Sequence, residues 1–202
     1  MNDNPRFAAI ADIGEKALLL GFFLFAVVRL GPGLASKPFN GLFLLSELIP
    51  VVLVLIRKPG AIVLKPHVML VAFLGTGLAL LCGGGVVIGP PVVAAPLMFA
   101  GLCFSLTAKL FLNTSFGFLA ANRGVKRNGP YQLVRHPIYA GYIVTQIGFL
   151  MMNFSSWNVL MLSLTWTFQI LRILIEEDVL GADPTYGHYS AQVRYRLVPG
   201  LF

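Results

Sequence analysis

The chain has 202 residues, of which 57% are hydrophobic and 11% charged, with a mean hydropathy of +0.81. A soluble domain carries about 25% charged residues, so this composition excludes an ordinary soluble globular protein. The net charge of +7 is not a nucleic-acid footprint, because the cations lie in loops between apolar runs, where lipid headgroups and topology account for them.

A membrane-crossing helix needs about 20 mostly apolar residues. Six runs are read as spans: 17–33, 41–56, 67–88, 92–112, 137–152 and 157–175. The second and fifth are short and must tilt or borrow their polar flanks. The predicted fold is all-α, a polytopic transmembrane helical bundle of about six spans, with five as the alternative. It ends in a helical hairpin beside a cytoplasmic cofactor pocket.

The residues before the first run include Asp3, Asp12 and Glu15, and no small-residue cleavage site follows. That run is therefore read as a retained span rather than a signal peptide. In the second run Glu47 precedes Pro50 by three residues. Its favoured role is structural, serving backbone groups freed by the proline, with a place facing a substrate cavity as the alternative. His67 is expected to cap the third run. The triplet Gly83-Gly84-Gly85 has no strand before it and no Lys after it, so it is read as a flexible turn and not a phosphate loop. Gly85 and Gly89 have the spacing of a weak helix-packing pair. Cys82 and Cys103 fall inside apolar runs and are expected to be buried structural thiols, with no metal-ligand spacing. Lys109 is expected to snorkel from the end of the fourth run.

Lys and Arg set the expected orientation. Arg57, Lys58 and Lys65, then Arg123, Lys126, Arg127 and Arg135, then Arg194 and Arg196 fall on one side. Arg29 and Lys37 fall on the other. Both termini are therefore expected to be cytoplasmic. Composition changes near Asn113, which divides the chain into 1–112, transmembrane helices that form the scaffold and substrate side, and 113–202, which holds the chemistry. Polar clusters at 113–136 and 176–202 flank the last two spans. The four-residue connection 153–156 makes those spans antiparallel neighbours, so both clusters must converge on one membrane face.

The densest chemistry lies at 129–142. Pro137 suits the first turn of a helix and puts His136 at its cap, beside Arg135. A helix start favours anions, so a ligand carboxylate fits there, and an interfacial contact with headgroups is the plainer alternative. Tyr131, Tyr139 and Tyr142 are either an aromatic belt or a stacking wall for a purine or a cation. Gly141 allows close approach of a ligand or of another helix. At the far end of the hairpin Gln169, Arg172 and Glu176 share a face, and Arg172 and Glu176 can pair. Glu176, Glu177 and Asp178 are three consecutive acids able to hold a ribose diol or an ammonium. In the tail, Tyr189, Arg194 and Arg196 can close over the site or lie on the membrane as an amphipathic helix.

At these residues the chain resembles the integral-membrane methyltransferases, among them the isoprenylcysteine carboxyl methyltransferases and the phospholipid N-methyltransferases. The resemblance rests on Gly-Pro-Tyr-x-x-Val-Arg-His-Pro-x-Tyr-x-Gly, the later Glu-Glu, and the tail's Arg-x-Arg-Leu-x-Pro, and it covers roughly 113–202. Residues 183–186 depart from the acidic turn common in the family. The resemblance implies S-adenosylmethionine bound at the cytoplasmic face without a Rossmann fold. A site at the membrane surface leads to the expectation of a lipophilic methyl acceptor that enters sideways from the bilayer, with membrane lipids as partners, and the residue spacing to the expectation of no metal. The resemblance places His136, Tyr139, Gly141, Glu176 and Glu177 around the cofactor. With the helix start and the tail, the expected cofactor set is Tyr131, Arg135, His136, Pro137, Tyr139, Gly141, Glu176, Glu177 and Tyr189. Arg172 and Glu176 are expected at the reacting centre. Three other readings stay open at this point. They are phospholipid N-methylation, a sterol-reductase-like enzyme using NADPH, which the shortness of the chain disfavours, and a non-enzymatic membrane protein.

Overall fold

Proline opens most of the helices, where its missing N–H costs nothing and its fixed φ suits the first turn. A computed structural model describes residues 5–35, 39–58, 61–62 and 65–202; Asp3 and Lys37 lie outside the described residues. The helices are α1 (Pro5–Leu30), α2 (Phe39–Ile56), α3 (Pro66–Gly77), α4 (Pro91–Leu112), α5 (Pro137–Met152), α6 (Ser156–Gly181) and α7 (Pro184–Gln192). The strands β1 (Ala61–Ile62) and β2 (Ala121–Asn122) form one short antiparallel pair.

Helices α1 to α6 run back and forth between two ends of the bundle. At one end Arg29 of α1 binds the carbonyls of Leu80 and Cys82, and an extended segment pairs Val86 with Phe154 of the α5–α6 turn. At the other end Arg57, just past α2, pairs with Asp12 and Glu15 of α1. Lys58 N–H donates to the Thr114 carbonyl at 2.8 Å, and β1 joins β2. The fold is thus mostly helical. The helix 156–181 and the stretch 91–115 are long and apolar enough to cross a membrane. Large apolar side chains such as Leu24, Val28, Leu55, Val92, Phe99, Leu160 and Leu174 stand exposed along the bundle. A water-soluble surface rarely carries so broad an apolar face.

The third expected span, 67–88, is corrected. Its α-helix stops at Gly77, a 3₁₀ turn carries on to Leu81, and the chain is then extended. The cause is specific: Asn158 Oδ1 accepts from Gly83 N–H at 3.0 Å, while its amide donates to the Gly83 and Asn153 carbonyls at 2.9 and 2.7 Å. The glycine triplet is therefore pinned, not flexible. Gly85 and Gly89 lie outside any helix and sit against Phe154, Asn153 and Met151. His67 is exposed at the second helical position, and Lys65 holds the cap position. Lys109 does not snorkel, since it is fully buried. Its Nζ donates at 2.7 Å to the Ser46 carbonyl, which Pro50, lacking an N–H, leaves without a helical partner. Lys109 thus makes the repair expected of Glu47, whose carboxylate interacts with its charge. Cys82 is buried and Cys103 half-buried, both as free thiols.

The hairpin of α5 and α6 also differs from expectation. The two helices are consecutive and antiparallel, but α5 packs chiefly on α4, and α6 on α3. Small residues decide this. A Cβ on Gly141 would stand 2.6 Å from the Gly101 carbonyl and 2.7 Å from Ser105 Cβ. The helix backbones touch there, as small-residue interfaces permit.

Candidate active site at the polar end of the bundle

The two polar clusters of the sequence meet in space. His136, at the cap of α5, places Nε2 3.1 Å from Glu177 Oε1 and Nδ1 3.7 Å from Glu176 Oε2. The Tyr139 hydroxyl donates to Glu176 Oε1 at 2.7 Å, and Arg172 Nε donates to the same oxygen at 3.1 Å. The Arg172 guanidinium lies over two rings, 5.6 Å from Tyr139 and 5.0 Å from Phe118. Its Nη2 donates to the Phe118 carbonyl at 2.6 Å.

Glu177 is a hub. Its Oε1 accepts from the Tyr186 hydroxyl at 3.1 Å, and its Oε2 from Arg196 Nε at 2.7 Å. Arg135 Nε stands 2.8 Å from Oε1, an ion-pair contact whose angle does not suit a hydrogen bond. The backbone N–H groups of Arg135 and His136 donate to the carbonyls of Tyr195 and Arg196, both at 2.9 Å. The tail is thereby laced onto the start of α5. The Tyr189 hydroxyl donates to the Tyr131 carbonyl at 2.7 Å. Burial pushes the Tyr189 hydroxyl up to about 12 and those of Tyr131 and Tyr186 higher still. All three remain neutral donors at physiological pH. Arg194 is exposed and takes no part.

These groups border a cavity holding about 160 Å³ of solvent-sized space, or about 1230 Å³ with its open mouth and the gaps between its walls. Tyr131, Arg135, His136, Pro137, Tyr139, Arg172, Glu176 and Tyr189 all line it. Glu177 stands behind His136. Gly141 does not line the cavity: the α4 backbone fills the space where a ligand would approach. Gln169 is buried against α3, donating to the Gly75 carbonyl at 3.3 Å, and Asp178 is exposed. Of the three consecutive acids two turn inward and one outward, as 3.6 residues per turn requires.

Two participants escaped the sequence reading. Arg123 entered it only as a loop cation. It is buried and lines the cavity, and its Nε has no hydrogen-bond partner among the described residues. Nothing in its sequence context sets it apart from Lys126 and Arg127. Glu15 entered as a charge outside a span. Its Oε1 accepts from the backbone N–H groups of Phe118 and Leu119 at 2.6 and 3.2 Å, and from Arg57. The Phe118–Leu119 corner of the cavity wall is therefore gripped from two sides, its N–H groups by Glu15 and the Phe118 carbonyl by Arg172. A carboxylate just ahead of an apolar run was the available signal. Glu15→Leu is expected to cost about 3 kcal/mol, because it leaves two buried backbone donors unpaired and takes from Arg57 one of its two carboxylates, Asp12 being the other. Thermal unfolding in detergent measures this, and an unchanged midpoint would remove Glu15 from the wall.

Comparison with known families gives one match: residues 87–182 match the Isoprenylcysteine carboxyl methyltransferase (ICMT) family. The matched stretch opens ahead of α4 and closes just past α6. It holds the Arg-His-Pro and Glu-Glu blocks and stops short of α7. It thus begins before Asn113, where the sequence reading drew its boundary, and includes α4, the helix on which α5 packs. No match was found among curated proteins. Apolar helices carry the bundle, the two polar blocks meet at one of its ends, and the family match spans both; the chain is accordingly a membrane protein whose region 87–182 is similar to the isoprenylcysteine carboxyl methyltransferase family of methyltransferases.

Proposed function

We propose that this protein is an S-adenosylmethionine-dependent methyltransferase acting on a lipophilic acceptor of the isoprenylcysteine carboxyl type. The observation that carries the reading is the meeting of His136, Tyr139, Arg172 and Glu176 on one cavity within the family-matched region. In this reading α1 to α6 all cross the bilayer, with both termini and the cavity on the cytoplasmic side. Residues 1–112 act as scaffold and acceptor side, and 113–202 as the cofactor side.

The residues present suit S-adenosylmethionine. Its carboxylate finds a cation with an unused buried donor at Arg123 and the positive end of α5 at Pro137. Its diol and ammonium find an acceptor in Glu176. Its cationic centre finds the aromatic faces of Tyr139 and Tyr131. When bound, the cofactor supplies a methyl group activated by positive charge on sulfur. The chain's own contribution is positional. Arg172 fixes the Glu176 carboxylate and presents a cation to the acceptor, and His136 is held by Glu177. Tyr131, Tyr189 and the tail wall off the mouth. Such positioning of two partners for in-line displacement supplies much of the barrier lowering. Metal is not part of the proposed mechanism.

Isothermal titration with S-adenosylmethionine and with NADPH tests the reading directly. Binding of the first and not the second is expected. Binding of NADPH alone would favour a reductase, and binding of neither a non-enzymatic role. Glu176→Gln keeps the acceptor oxygen for Tyr139 and Arg172 but removes the charge. A charge-assisted hydrogen bond contributes about 1.5–3 kcal/mol, so cofactor affinity is expected to fall by about 10- to 100-fold with the fold intact and a smaller fall in the melting midpoint than Glu177→Gln gives. Unchanged affinity would take Glu176 out of the site.

A further inference from the structure

Beyond Arg196 the tail forms a rigid turn. The Val198 carbonyl accepts from the Leu201 N–H at 3.1 Å, with Pro199 and Gly200 between them and Gly200 at φ +86°. Proline followed by glycine at positive φ makes a type II turn. Further bonds close it: the N–H groups of Leu197 and Val198 donate to the backbone oxygen of Phe202 at 2.8 and 3.0 Å. Val198 is exposed, and Leu201, at 83%, is the most exposed large apolar side chain among the described residues. The base of the turn is tied to the site. Leu197 is buried against Tyr139 and Ile173, and the Arg196 guanidinium, bound to Glu177, lies 5.1 Å from the Phe202 ring.

The partners of the turn fix its height against a bilayer. The carbonyls of Tyr195 and Arg196 accept from Arg135 and His136 at the start of α5. Leu197 packs on Ile173 of α6, a helix long and apolar enough to cross a membrane. Ile170 and Leu174, on either side of Ile173, are exposed. The turn therefore stands at the polar end of the bundle, where apolar helix surface gives way to polar groups. Its surroundings suit that boundary. Leu133 and Tyr195 are exposed apolar groups, and Arg194 is exposed with no ion pair among the described residues. Tyr and Arg side chains anchor at lipid headgroups, with the apolar body inward and the polar tip in water. A second copy of the chain is a poorer occupant, because these few side chains fall well short of the roughly 1,000 Å² that a specific protein interface buries.

We propose that the turn 198–201 seats in the bilayer leaflet at the polar end of the bundle and thereby holds the tail over the site. Val198 and Leu201 enter the boundary of the acyl chains, Tyr195 lies among the headgroups, and Arg194 meets a lipid phosphate. A preorganised turn loses little conformational freedom on insertion. Its hold passes along a short stretch of backbone to Arg196, and through Arg196 to Glu177. Phospholipid is thus a partner of the tail in its own right, whatever ligand the cavity takes.

Leu201→Trp in the full chain tests the seating, in phosphatidylcholine nanodiscs whose acyl chains carry bromine either near the glycerol or near the chain end. The signal of Trp157 and Trp166 is subtracted with the unsubstituted protein. The added indole is expected to be quenched mainly by the shallow bromines, and more than one introduced by Gly187→Trp, at an exposed position of α7. Quenching no greater than at position 187 overturns the proposal. So does blue-shifted emission without quenching, which contact with a second copy would give. The hold on the tail is read by hydrogen exchange of the Arg135 and His136 amides, which the Tyr195 and Arg196 carbonyls protect. Leu201→Asp is expected to speed their exchange in nanodiscs by about tenfold or more, and Leu201→Met, which keeps the apolar body, to leave it unchanged. Leu201 is mostly free of protein contact, so this difference reports the bilayer rather than packing within the tail. Unchanged exchange in Leu201→Asp also overturns the proposal.

Discussion

Glu177→Gln is expected to lower S-adenosylmethionine affinity by about 100-fold and the melting midpoint by about 8 °C. Three groups, from Arg135, His136 and Tyr186, point at Oε1, and Arg196 donates to Oε2. They come from the loop before α5, the cap of α5, α7 and the tail. An amide can keep an acceptor toward one side only. Turned either way, its NH₂ faces Arg196 or the other three donors. The carboxylate is largely buried, with side-chain exposure of 13%, against 9% for Arg135 and 7% for His136. Breaking a buried ion pair by removing one partner costs about 3–5 kcal/mol, while the Arg196 contact, a third exposed, contributes less. The affinity loss is indirect: His136 and the tail lose their anchor while Glu176 stays in place. Titration calorimetry and thermal unfolding on the same preparation measure both quantities. Normal affinity with a normal midpoint would show that the tail is held by other contacts. Glu177→Asp should rescue part of the stability, since it keeps the charge and shortens the reach.

Gly141→Val is expected to be strongly destabilising, costing about 3 kcal/mol or more. A Cβ at Gly141 would stand 2.6 Å from the Gly101 carbonyl and 2.7 Å from the Ser105 nitrogen and Cβ, and the reciprocal Cβ on Gly101 would meet Thr145 N at 2.6 Å. These neighbours are helix backbone, which cannot rotate away. Overpacking of a tight core costs about 1–3 kcal/mol where side chains can yield, and here they cannot. The helices α4 and α5 must separate, and the turn that begins α5 must move with them. Thermal unfolding in detergent measures the loss. Gly187→Ala is the matched control, because a Cβ there meets nothing within 4 Å. A Gly141 variant as stable as the Gly187 control would contradict the close packing.

The sequence carried the polar end of the molecule well. Pro137 announced a helix start, and the helix is there. The spacing of Arg172 and Glu176 announced an i, i+4 pair, and the two are joined. A short connection between two apolar runs brought the His136 and Glu176–Glu177 clusters to one end. Such signals are local, because a missing N–H, a turn of 3.6 residues or a four-residue loop acts within its own segment.

Elsewhere the sequence misled, and each time a distant partner was the reason. Gly141 looked as fit for a ligand as for a helix, and Gly101, forty residues earlier, decided it. The glycine triplet at 83–85 looked flexible, and Asn158 pinned it. Lys109 looked like an interfacial cation, and a carbonyl orphaned by Pro50 on another helix drew it inside. Arg123 carried no mark of the cavity it lines, and Glu15, a carboxylate just ahead of an apolar run, gave no hint of which backbone it would hold.

By itself the sequence determined an apolar helical chain, the starts of its helices and the gathering of two polar blocks at one end. The tertiary structure alone decided which helix faces which, and hence which polar atoms are already satisfied. Those choices depend on backbone approach and hydrogen-bond partners far apart in the chain, and no periodicity within a segment records them.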